Sequence, residues 1–220
     1  MYMYAMHPIM ILVHTTELVS WGYERGKTVR GAPYDFRYAP HSLTSYYARL
    51  KSLIEEMYSS NGNRSVVLLG HSQGGLVSQY FLQQQAQQWK DVYIHSLVTV
   101  GTPWAGSAIM TQIFASGYTM GIAGMNALLM RDQQRSFESA PLMLPRQPAW
   151  AHNETLLVTS HRNYTLADYD DFFRVTMYPE GGELLARVQR EDYVWRHPGV
   201  DMYCWHGSGE RVLIQAWHCS

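Results

Sequence analysis

The sequence predicts an α/β fold organised around a parallel central sheet, and three observations predict it. Val66-Val67-Leu68-Leu69 and the stretch Ile94, Leu97, Val98 and Val100 are apolar runs without clean alternation. Strands covered on both faces have that look, whereas a half-solvated strand alternates apolar and polar residues. A helical pattern from Gly75 to about Gln88 lies between the two runs, and strand, helix, strand in this order makes a parallel pair joined by a crossover. The 220 residues are 46% hydrophobic with a net charge of −1, enough apolar material for one sizeable core and far from the composition of a disordered chain.

The elements follow in order. Residues 9–25 fit a helix on the spacing of Val13, Glu17, Leu18 and Trp21, with Gly26 as its stop. TVRGAPYDFR begins extended, and Pro33 and Pro40 exclude a long helix there. Leu43, Tyr46, Tyr47, Leu50, Leu53, Ile54 and Met57 recur with the three- and four-residue spacing of an amphipathic helix, and Lys51, Glu55 and Glu56 fall on its wet side. In the helix from Gly75, Leu76, Val77, Tyr80 and Phe81 form the inner face, and the many glutamines are expected to form a solvated outer one. Residues 105–165 are rich in Met, Gly and Pro, weakly periodic and without an evident strand pair, as in an insertion or cap. PGVDMYCW, residues 198–205, is expected to hold one further strand. The expected division is therefore a core over residues 1–104, with 1–13 atypical, an insertion over 105–165, and a return to the core over 166–220.

Composition also excludes functions. A charge of −1 from 17 basic and 18 acidic residues gives no basic field for nucleic acid. Two cysteines, Cys204 and Cys219, cannot make a disulfide framework, and two unpaired thiols are expected. No metal-binding spacing or phosphate-binding glycine loop occurs, so neither metal nor organic cofactor is expected. No apolar run approaches the ~20 residues that span a bilayer. Sequons stand at Asn63, Asn153 and Asn163, yet the start MYMYAMHPIMILV lacks the pattern of a signal peptide. That mismatch points to a start other than the native one.

The chemistry concentrates in Gly70-His71-Ser72-Gln73-Gly74, a G-x-S-x-G pattern between the first buried strand and a helix. A serine on such a sharp turn sits in a strained backbone, with small neighbours at Gly70 and Gly74 removing conflict. Its hydroxyl projects above the sheet as a nucleophile. The backbone N–H of Gln73, at the helix start, points where an oxyanion would form. His71 adjoins the serine but is expected to pack under the turn, because a proton-accepting histidine comes from a distant loop.

VRGAPYDFRYAP, GHSQGG, YFLQQQAQQWKDVYI, SLVTVGTPWAGS and NYTLADYDDFFR, in that order, resemble the lecithin:cholesterol acyltransferase family, from about His14 to Gly209. The resemblance implies an α/β-hydrolase fold with a lipid-binding cap. It also implies a serine that takes a fatty acyl group from a phospholipid and passes it to water or an alcohol. Acylglycerol or sterol lipids would be partners, a membrane or lipoprotein surface a transient one, and the compartment lysosomal, secretory or extracellular.

The family's catalytic acid and histidine belong to Asp-Gly-Asp and Glu-His or Gln-His contexts that are absent here, as are the first strands and oxyanion loop expected before residue 14. Only Ser72 as nucleophile and Gln73 as oxyanion donor carry over. His206 and His218 are the alternative bases because they follow the last expected strand, whereas nothing marks His14, His95, His152 or His161. Asp35 is expected to orient a loop. Trp104, Phe114, Met125, Leu128, Leu144 and Trp150, among other apolar residues of 104–150, form either a cap core or an acyl-chain track. A truncated, inactive family member is the competing expectation for function.

Overall fold

The computed structural model of the chain describes residues 2–5, 16–119, 122–189, 192–209 and 216–218. They fold as two compact units, one of residues 1–36, 40–102 and 192–208 and one of 37–39, 103–191 and 209–220.

The first unit carries a five-stranded sheet in the order β2-β1-β3-β4-β7, every neighbouring pair parallel. Its strands are β1 (Tyr2–Ala5), β2 (Val29–Gly31), β3 (Val66–His71), β4 (Ile94–Val100) and β7 (Asp201–Trp205). The parallel α/β architecture expected from the two apolar runs is the one observed. The N-terminal segment differs from expectation: Tyr2–Ala5 pairs on both sides, with β2 and with β3, where no early strand was expected. Met-Tyr alternation over four residues is too short to separate from a random start, and pairing with two neighbours makes it a strand.

β3 has apolar partners on both faces, as a continuous run requires. Val66 and Leu68 belong to the cluster containing Tyr47, Leu50, Ile54 and Met57 of α2 (Thr44–Ser60) and Val77 and Phe81 of α3 (Gln73–Gln83). Val67 and Leu69 belong to another, with Leu18, Val29 and Val98. Leu18 lies in α1, residues 16–20. The remainder of the helix expected over 9–25 falls partly outside the described residues. Phe81 is fully buried and stacks on Tyr47 at 5.9 Å.

The helix expected from Gly75 to Gln88 is two helices, α3 and α4 (Gln87–Tyr93). Its glutamines are not simply a solvated face. Gln79 is buried and donates to the Arg196 carbonyl, which Gln83 also reaches at 2.9 Å. Gln87 donates to Gly199 O at 2.8 Å. Beside it, buried Lys90 donates to Pro198 O at 2.8 Å, and burial holds its ammonium below the usual lysine range. An amide or ammonium on a long stem satisfies loop carbonyls that no helix or strand can reach. Residues 196–199 enter β7, so this grip sets the position of that strand. Among the described residues β7 is an edge, with Tyr203 54% and Trp205 61% exposed. Cys204 on it is an exposed free thiol, and Cys219 lies outside the described residues.

The second unit contains α5 (Ile109–Ser116), α6 (Ala127–Arg135), α7 (Ser139–Leu142), α8 (Tyr169–Val175) and α9 (Gly181–Val188). Its sheet has the order β6-β5-β8, from β5 (Thr155–Thr159), β6 (Asn163–Thr165) and β8 (Ala216–His218). Phe114, Leu144, Leu157, Phe172 and Phe173 form its core. An antiparallel β5–β6 pair forms in residues 105–165, where the sequence shows no evident one. The connecting turn lacks the usual glycine or Asn-Gly. Thr159 Oγ1 supplies the turn chemistry instead, accepting from the N–H groups of His161 and Arg162 at 3.3 and 3.1 Å.

Burial raises the phenols of Tyr34 and Tyr46 far above their usual value, and Tyr46 donates to Ala32 O at 3.2 Å. The folded chain therefore keeps protons that the unfolded chain releases near pH ~10, so stability is complete below that pH and falls above it. Tyr46→Phe should cost about 1 kcal/mol in urea unfolding at neutral pH. It should also flatten the alkaline fall, and an unchanged alkaline slope would contradict the assignment.

Candidate active site

Ser72 stands between the last residue of β3 and the first of α3 with φ 52° and ψ −127°. Non-glycine residues avoid this left-handed backbone, at a cost of about 1–3 kcal/mol. Two hydrogen bonds fix it: Ser72 N–H donates to Val100 O at 2.9 Å, and Gly75 N–H donates to Ser72 O at 3.1 Å. The serine is thus tied to the end of β4 as well as to its own helix, and its side chain is half-buried.

Glycine is required on both sides for steric reasons. A Cβ at Gly70 would lie 2.6 Å from Gly75 N and 2.7 Å from Gly74 C and O, all backbone atoms that cannot move aside. A Cβ at Gly75 would collide with the side chain of Thr102. Gly75 and Thr102 are two parts of the packing that the pentapeptide pattern alone missed. The doubled glycine and the Gly101-Thr102-Pro103 exit of β4 were the available signals. Among the described residues Thr102 Oγ1 is buried without a hydrogen-bond partner.

Gln73 opens α3 and is buried. The ladder sets the level of the strand ends: His71 is opposite Val100, Val100 is opposite Trp205, and Gly101 N–H donates to Trp205 O at 2.8 Å. Ser72, Gly101 and His206 accordingly leave the carboxyl edge of three adjacent strands. His206 is exposed, and the Ser72 side chain makes no capping hydrogen bond to α3. His95, His152 and His161 are exposed, while His71 and Asp35 are half-buried. The side chains of His14 and His218 lie outside the described residues. Among those residues there is also no group of three or more His, Cys, Asp or Glu side chains placed to hold a metal ion.

Residues 11–197 match the family described as lecithin:cholesterol acyltransferase. The chain belongs to that family. The mouse and human proteins named lysosomal phospholipase A and acyltransferase are each 42% identical to it, over 192 and 194 residues, with 87% of this chain and 46% of each relative covered. Mouse phosphatidylcholine-sterol acyltransferase is 40% identical over 194 residues, 87% of this chain and 44% of that protein. The chain thus spans less than half the length of these curated relatives. A chain in the crystal structure of the Tle4–Tli4 complex is similar at a TM-score of 0.52 and 15% identity, covering 78% of this chain and 38% of that one. That likeness concerns the fold alone. With the sheet described above, it gives this member of the acyltransferase family a partial α/β-hydrolase fold.

Ser72→Gly should relieve the strained backbone, whereas Ser72→Ala keeps the Cβ that causes it. The glycine variant is expected to be more stable than the alanine variant by about 1–3 kcal/mol in chemical denaturation. Equal stability would mean that the left-handed backbone at this position is unstrained.

Proposed function

We propose that the chain carries the nucleophile of a serine acyl-transfer reaction on phospholipid esters, with Ser72 as that nucleophile. The single observation behind this reading is the left-handed Ser72 backbone at a strand-to-helix junction, tied to Val100 O. That geometry holds the hydroxyl off the end of the sheet, where regular secondary structure would turn it aside. The relatives' names, phospholipase and acyltransferase, support the substrate class.

In the proposed reaction Ser72 Oγ attacks the ester carbonyl carbon while an imidazole takes its proton. The carbonyl oxygen becomes an oxyanion beside the backbone N–H of Gln73, where the amino end of α3 adds the positive end of its dipole. Collapse breaks the bond to the lipid alkoxide, which receives the proton from the imidazolium. Water or an alcohol, such as a sterol or acylglycerol hydroxyl, then attacks the acyl-Ser72 ester and accepts the acyl group. Organic cofactors have no step in this sequence. The name of the closer relatives favours a lysosomal setting, and a lipid surface is the transient partner such a substrate demands.

An elbow without its proton relay is the second reading. The exposed position of His206, the histidine that leaves the neighbouring end of the sheet, favours it. A fluorophosphonate probe separates the two. Under the catalytic reading the folded chain labels stoichiometrically, and Ser72→Ala abolishes the label. A folded chain that labels no faster than free serine removes the catalytic reading, because loss of a relay residue costs several orders of magnitude in rate.

A further inference from the structure

The outer side of β7 carries an unfinished ladder. Among the described residues its strand partner is β4 alone, and β8, which follows it in the chain, pairs with β5 in the other sheet. In a parallel pair, alternate residues turn both main-chain groups toward the same neighbour. Trp205 O accepts from Gly101 N–H at 2.8 Å, so Tyr203 and Trp205 are the residues bonded to β4. Met202 and Cys204 therefore aim their N–H and C=O groups outward, and His206 follows in the same phase.

Natural sheet edges are protected by lysine, by proline or by a bulge. β7 uses none of these. Asp201–Trp205 contains neither lysine nor proline, and its pairing with β4 runs without a shift of register. Its one charged residue, Asp201, stands at its start. Successive side chains alternate between the faces of a strand, so Tyr203 and Trp205 share one face, and both are exposed. On the other face Met202 packs against the core that holds Val77 and Phe81, while Cys204 is an exposed free thiol.

This pattern is complementary to itself. Consider an antiparallel copy of β7 related by a two-fold axis at Cys204. Cys204 then lies opposite its own counterpart, Met202 opposite His206, and Tyr203 opposite Trp205. The outward residues 202, 204 and 206 exchange main-chain hydrogen bonds, and Tyr203 and Trp205 occupy the alternate positions, where facing side chains approach most closely. Each aromatic ring gains an aromatic partner, a favourable cross-strand pair that symmetry repeats. Asp201 meets Gly207, so no carboxylate faces its own copy. An axis at Tyr203 would set Asp201 against Trp205 instead, which makes Cys204 the better centre. We propose that β7 is an isologous interface, on which a second copy of this chain adds its own β7 antiparallel and continues the sheet across a two-fold axis.

The test is analytical ultracentrifugation of the full chain over a range of concentrations, with a reversible monomer–dimer equilibrium as the expected result. Tyr203→Lys with Trp205→Lys sets lysines opposite one another and should weaken the dimer at least tenfold. Tyr203→Lys with Trp205→Glu sets opposite charges at the same places and should recover most of that loss. A short bismaleimide should join two copies through Cys204, and Cys204→Ser should abolish that product. In the unmodified chain, amide exchange at Met202, Cys204 and His206 should slow as concentration rises, a measurement independent of how well any variant folds. Ser72→Ala should dimerise as the unmodified chain does, so failed probe labelling and failed dimerisation are separate results. Four outcomes overturn the proposal: a folded chain that stays monomeric at high concentration, a dimer that survives both lysines, equal weakening by the lysine–lysine and lysine–glutamate pairs, or slowed exchange confined to other segments.

Discussion

The bond from Ser72 N–H to Val100 O is the constraint on which the candidate site depends. A left-handed serine is uphill for its own backbone, and α3 alone would relax it by starting one residue earlier or later. Attachment to the neighbouring strand removes that freedom. Val100 is itself held, because it lies opposite His71 on one side and Trp205 on the other. The strain at one residue is thus sustained by a ladder three strands wide, and the glycines at 70 and 75 let the helix approach closely enough to complete it.

The ladder is only as well placed as β7, its outer member. Among the described residues β7 has one strand neighbour, and its side chains are largely exposed, so packing contributes little to holding it. Side chains from α3 and α4 perform that task at the residues just before it. Gln79, Gln83, Gln87 and Lys90 reach carbonyls of Arg196, Pro198 and Gly199. Gly199 has φ 79°, and a side chain there would meet the Lys90 ammonium. Here glycine serves both the turn and the space for the cation.

This division explains what was legible in the sequence. β3, β4 and α2 follow from periodicity because their residues are chosen by burial, and burial leaves a pattern. Ser72 was legible because its strain demands glycines at fixed offsets. The role of Gln79 was not, since a glutamine that caps a carbonyl 117 positions away in the chain carries the same local signal as a solvated one. The β5–β6 pair was missed because Thr159 does the work usually advertised by glycine. The β1 pairing was missed because four residues are too few to show a period.

A common thread runs through both units. Only 16% of the residues are charged, below the ~25% of an average soluble domain, and several of the long polar side chains are spent inward. Lys90 and Arg135 are buried and each donates to main-chain carbonyls, of Pro198 and of Phe114 and Thr176. A cation placed this way loses hydration and recovers it from fixed dipoles, which raises the cost of moving those segments. The complement is a set of large apolar groups on the exterior, among them Trp21, Leu129, Met177 and Trp205. For a protein that meets only water, that exchange would be a liability. In this chain the buried cations hold irregular segments through their carbonyls, so its few charges act as internal ties while large apolar groups stand outside.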